Sequence, residues 1–119
     1  MFSSQDKLFM QRAIELAKES FDDGEVPVGA VIVQNETIIG EGKNKVIFEN
    51  DVTSHAEINA IRAASKKIKN YRLNDCSMYV TLEPCHMCAK AAVDARMSSV
   101  IFAASEPKTG SIISIDNFF

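Results

Sequence analysis

The chain has 119 residues, 46% hydrophobic and 24% charged, which excludes disordered and multidomain readings and predicts one domain over residues 1–119. A net charge of -3, from 13 basic and 16 acidic residues, argues against nucleic acid held by a general basic surface. No apolar run approaches the ~20 residues that span a bilayer, and the polar segment Met1–Lys7 has no signal-peptide core, so a cytoplasmic address is expected. Three cysteines cannot all pair, and without an export signal they suggest metal or catalytic use before a disulfide framework.

Ser3 with Asp6 three residues later forms a capping pattern, and Phe9, Ala13, Leu16, Ala17 and Phe21 recur at helical spacing until Asp22-Asp23-Gly24. This predicts an amphipathic first helix. The apolar run Val28–Val33, the break at Asn35-Glu36 and Thr37-Ile38-Ile39 predict a hairpin whose second strand frays at Gly40 and Gly42. Lys43 to Val52 is polar and irregular. From Ser54 a helical stretch carries Ile58, Ile61 and Ile68 on or near one face and ends near Asn70.

Cys76 to Leu82 alternates as a strand, and Pro84 opens a helix through Arg96, because proline is favoured in the first helical turn. Ser99 to Ala103 adds a strand. A strand, a helix and a strand so close together form a βαβ unit with parallel strands. The expectation is a two-layer or three-layer α/β domain with a mixed sheet, binding its ligand at strand ends beside helix N-termini.

Two motifs carry chemistry: His55-Ala56-Glu57 and Pro84-Cys85-His86-Met87-Cys88. Zinc favours thiolate and imidazole donors, and a catalytic site needs three protein ligands with a fourth position for water. His55, Cys85 and Cys88 supply that count. A helix N-terminus favours the thiolates. Zinc lowers the pKa of bound water to about 7, so that it can attack an amidine-like ring carbon while Glu57 relays protons to the ring nitrogen and the departing amine. The pattern also admits plainer readings. Ser54 and Glu57 could be a capping box, and the CxxC could be a redox pair. His86, about 100° around the helix from Cys85, is expected at the rim, and Cys76 in the core.

The HxE and PCxxC pair together resembles the signature of the zinc-dependent nucleobase deaminases. Within them the chain is most similar to the bacterial tRNA-specific adenosine deaminases. The similarity rests on Glu25–Val31, Gly40–Asn44, His55–Ile58, Asn70–Leu73, Thr81–Cys85 with Met87–Ala89, and Lys108-Thr109-Gly110. It implies a three-layer α/β/α cytidine-deaminase-like sandwich, one Zn2+ per chain on His55, Cys85 and Cys88, and proton transfer by Glu57. It further implies that Asn44 hydrogen-bonds a flipped base, that main chain near Ala56 and Glu83 meets the base edge, and that Val28 and Leu82 line the pocket.

Adenosine-to-inosine conversion at the wobble position of a tRNA anticodon loop is the implied activity, in a homodimer. A free guanine or cytosine deaminase and a structural zinc module are the alternatives. Two departures stand out. The family's Ala-Arg-Asp becomes Ala104-Ser105-Glu106, and its C-terminal strand and helices are missing after Lys108-Thr109-Gly110, leaving Ile112, Ile113, Ile115, Phe118 and Phe119 to cover an edge. Arg62, Lys66, Lys67, Lys69 and Arg72 form a basic run without an acid, and Lys43 and Lys45 flank Asn44. As RNA contacts they would give weak, salt-sensitive binding; as a solvated helix face they would give none.

Overall fold

The computed structural model describes residues 3–104 and Gly110. Helix α1 (Ser4–Asp22) begins at Ser3, whose hydroxyl accepts from the Asp6 amide while the Asp6 carboxylate accepts from the Ser3 amide. Strands β1 (Gly29–Gln34) and β2 (Thr37–Lys43) follow as an antiparallel hairpin. Asn35 and Glu36 turn it with φ of 51° and 61°, the left-handed pair that suits the strand twist. A four-residue helix, α2 (Val46–Glu49), leads to α3 (Ala56–Ile68). Strand β3 (Cys76–Leu82), helix α4 (His86–Asp94) and strand β4 (Ser99–Ala104) form the βαβ unit, with β3 and β4 parallel.

The sheet runs β2-β1-β3-β4, with β1 antiparallel to both neighbours. Successive β1 residues serve opposite layers. Ala30 and Ile32 join the α3 and α4 side with Met78 and Val80, whereas Val31 and Val33 join Leu16 and Tyr79 beneath α1. A strand buried on both faces explains why its sequence is apolar without alternation.

Two expectations change, beyond the short α2 within the stretch Lys43 to Val52 that the sequence leaves irregular. Strand β2 does not fray at its glycines but runs through them to Lys43. A Cβ on Gly42 would lie 2.1 Å from the Ala56 carbonyl oxygen, and one on Gly40 would lie 2.5 Å from that of Ala60. The glycines therefore let α3 rest backbone against backbone on β2. In α3 the fully buried apolar positions are Ala56, Ala60 and Ala64, while Ile61 and Ile68 flank the core from partly buried positions. Small residues at four-residue spacing bring the start of α3, and hence His55, close to the sheet. Ser105, Glu106, Lys108, Thr109 and the C-terminal Ile112, Ile113, Ile115, Phe118 and Phe119 lie outside the described residues.

Candidate active site

Cys85 and His55 are the N-cap residues of α4 and α3, both with extended backbone, so two helix starts converge. His55 Nδ1 lies 3.6 Å from Cys85 Sγ and 3.4 Å from Cys88 Sγ. All three donor atoms lie within 4.8 Å of one another, and among the described residues they form one group suited to a metal. A tetrahedral Zn2+ at ordinary bond lengths places a nitrogen and a sulfur donor about 3.6 Å apart. The donor set and its spacing fit zinc. Gly110 forms an antiparallel bridge with Cys85 and is buried there, bringing the last residue of the Lys-Thr-Gly motif to a ligand.

Electrostatics at the site fit a cation. The Cys85 thiol is lowered to about 5, chiefly by hydrogen bonding with Cys88, with help from the Cys88 and Met87 amides and from His55, against the cost of burial. Cys88 moves upward because it keeps the proton it shares with the Cys85 thiolate and because it is buried. Glu57 is 4% exposed, and burial pushes its carboxyl up to about 7, with partial opposition from its own amide. A thiolate, a thiol and a carboxyl packed this closely repel one another once ionised. A divalent cation relieves that repulsion.

Beside these groups is a cavity of about 230 Å³, lined by Val26, Val28, Asn44, His55, Ala56, Glu57, Leu82, Glu83 and Cys85. It thus gathers every residue that the sequence singled out except Cys88, which lies buried behind Cys85 and His55. Asn44 is buried, and its Oδ1 accepts from the Val46 amide at 3.0 Å. That bond fixes the orientation of the amide, leaving the NH2 group as the donor. The Glu83 amide donates to the Ala104 carbonyl at 2.8 Å, so a main-chain contact at Glu83 falls to its carbonyl.

One plainer reading fails. No capping box forms at α3: its N-cap is His55, and the Ser54 hydroxyl donates to the Glu49 carboxylate. Lys43 is ion-paired with Glu19 at 3.3 Å and Asp23 at 3.1 Å. His86 is exposed and Cys76 fully buried, as expected. The basic residues from Arg62 to Arg72 are exposed, with Lys66 and Lys67 in the last turn of α3, about 15 Å along the axis from its start.

Sequence reasoning missed the supports of the cavity wall. Glu25 is buried, and its two oxygens accept from the Ile47 amide at 3.0 Å and the Phe48 amide at 2.8 Å. With Asn44 on Val46, all three leading amides of α2 are held by side chains. A four-residue helix has no periodicity to detect. The signal available was an acid beside Val26-Pro27-Val28, without a partner within reach along the chain.

Residues 3–104 match the family described as the cytidine and deoxycytidylate deaminase zinc-binding region. The tRNA-specific adenosine deaminase of Haemophilus influenzae is 49% identical over 118 residues, covering 98% of this chain and 68% of that protein. A solved structure from a study of A-to-I editing by tRNA:A34 deaminases at the wobble position superposes with a TM-score of 0.89 at 41% identity, covering 91% of this chain and 83% of the other. The guanine deaminase of Bacillus subtilis superposes with a TM-score of 0.80 at 46% identity, covering 83% of this chain and 64% of the other. The chain belongs to the zinc-dependent cytidine and deoxycytidylate deaminase family, and within it to the tRNA-specific adenosine deaminases.

Proposed function

We propose that the chain catalyses hydrolytic deamination of the wobble adenosine, position 34, of a tRNA to inosine, with release of ammonia. The observation that carries this reading is a cavity in which the zinc ligands His55 and Cys85, a buried carboxyl and a fixed amide donor share walls, with the Cys88 sulfur within 4.8 Å of the other two donors. His55, Cys85 and Cys88 hold the zinc, which when bound supplies a water that ionises near neutral pH.

Glu57 moves the protons. It takes one from the attacking water and places it on the purine N1 as the C6–O bond forms, then passes the remaining hydroxyl proton to the exocyclic nitrogen as the C6–N bond breaks. Water and adenosine thereby balance inosine and ammonia. The Asn44 NH2 group donates to an acceptor nitrogen of the flipped base, while Val28 and Leu82 pack on its faces. The Ala56 amide, one of the first-turn donors of α3 without an acceptor inside the helix, and the Glu83 carbonyl meet its polar edge.

A cavity of about 230 Å³ admits one base and leaves the rest of the anticodon loop outside, where Lys45 is the near cation and the exposed basic run the far one. A cytoplasmic address is part of this reading. A homodimer belongs to the same reading, supported by Val26, Ile47, Phe48 and Val52, which are 59%, 66%, 79% and 80% exposed and need cover. Sedimentation should give twice the chain mass.

The likeness to a guanine deaminase favours a second reading, free guanine as substrate. Zinc-loaded protein is incubated separately with an anticodon stem-loop bearing A34, with guanine and with cytosine. Inosine in the stem-loop is the expected result. Guanine consumed while the stem-loop stays unchanged would overturn the proposal in favour of the second reading.

A further inference from the structure

The segment 44–54 leaves β2, passes through α2 and returns to α3, and its two ends meet at a neck. There the Lys45 amide donates to the Ser54 carbonyl at 2.9 Å. One side chain from outside the segment completes the closure. Asn59, in the first turns of α3, donates through Nδ2 to the Lys43 carbonyl at 2.9 Å and to the Ser54 hydroxyl at 3.1 Å. Lys43 is the residue before Asn44, and Ser54 is the residue before His55. An amide NH2 has two protons, and here each is spent on one side of the neck.

The remaining attachments of the two ends are separate. Asn44 is tied outward, by its amide to the Val28 carbonyl at 3.2 Å and by its carbonyl to the Ser20 hydroxyl at 3.1 Å. Ser54 is tied to the segment itself, through Asp51 and Glu49. The His55 side chain makes no capping bond of its own, and its main chain is held by its amide on the Thr53 carbonyl at 2.8 Å and by the Asn59 amide on its carbonyl at 3.0 Å. Asn59 therefore links, within one side chain, the approach of Asn44 to the cavity and the approach of His55 to the thiols.

We propose that Asn59 is a positioning residue that sets the separation between the base-reading Asn44 and the metal ligand His55. The part concerning the base rests on the deaminase reading above; the part concerning His55 does not. Removing the donor lets both ends relax, so base capture and metal retention weaken together. A purely architectural Asn59 would lower the melting temperature and leave both unchanged in the molecules that remain folded.

The test uses Asn59→Ala and the isosteric Asn59→Asp, which replaces two donors by acceptors facing the Lys43 and Ser54 oxygens, with Asn59→Gln as the donor-retaining control. Zinc affinity is measured by chelator competition well below the melting temperature, together with KM and kcat on the stem-loop. A roughly tenfold loss of zinc affinity and a comparable rise in KM are expected for the alanine variant, with larger losses for aspartate and partial recovery for glutamine. Wild-type zinc affinity and KM in Asn59→Ala, with only the melting temperature lowered, would overturn the proposal. If the wild-type protein leaves the stem-loop unchanged, the substrate reading fails, while zinc affinity in the same variants still decides the link to His55.

Discussion

The two walls of the cavity are built by different means. On the metal wall, His55, Cys85 and Cys88 take their places from the starts of α3 and α4, elements anchored by the sheet and a buried core. On the opposite wall, Glu25 holds α2, Asn59 holds the main chain at Lys43, and Asn44 is tied to Val28 and Ser20, each by hydrogen bonds reaching across the sequence. α2 has no buried residue of its own. Metal chemistry therefore rests mainly on packing, which is cooperative and tolerant of small losses, with Asn59 as its one hydrogen-bonded link to the other wall, whereas base reading rests on a few hydrogen bonds whose removal is felt one at a time.

Substitution within the reacting groups sharpens this contrast most. Glu57→Gln should lower kcat by about 10²–10⁴ on the stem-loop, since proton transfer is lost, while one zinc per chain remains by elemental analysis. Full activity in that variant would assign proton transfer elsewhere. The opposite wall is broken by Glu25→Gln, which leaves one amide of α2 facing a donor. KM should rise by roughly tenfold with zinc affinity unchanged, so a change in zinc affinity there would dissolve the distinction between the walls.

Packing is tested by Gly42→Ala, whose methyl would lie 2.1 Å from the Ala56 carbonyl and 2.4 Å from the Ala60 amide. Urea unfolding should show a loss of about 1–3 kcal/mol, as for other overpacked cores, with zinc weakened because the start of α3 moves. The smallest effect lies away from both walls. Tyr79 donates its hydroxyl to Asp6, and its phenol is pushed up to about 12 by burial first and by Asp6 second. Because the folded value exceeds the ordinary 10.0, this contribution is intact below pH 10 and fades as pH rises from 10 through 12. Asp6 is lowered from 3.8, chiefly by the same bond, so its share is present above that pH and fades on acidification below it. Tyr79→Phe should flatten the alkaline limb of the stability curve and leave deamination at neutral pH untouched.

The same contrast explains what could be read from the sequence. Motifs whose residues sit at the ends of regular elements declared themselves: the βαβ unit, the Ser3–Asp6 cap and the Cys85–Cys88 pair all express local periodicity or local spacing. Glu25 and Asn59 act at separations of 22 and 16 residues on main-chain groups that any residue would present, Asn59 adding the Ser54 hydroxyl. Nothing in the identities of the main-chain partners encodes such bonds. Gly40 and Gly42 misled for the opposite reason: as strand residues they suggest weakness, yet here they accommodate the closest approach of a helix.

Strand β1 is hydrogen-bonded along both edges and covered on both faces, so its amides should exchange with solvent only when the whole domain unfolds. The amides of Val46 to Phe48, held by two side chains and little else, should exchange through small local openings. The molecule thus pairs a slow interior with a fast rim. A base flipped out of its loop then meets the cavity at the fast rim, away from the strand that organises the fold.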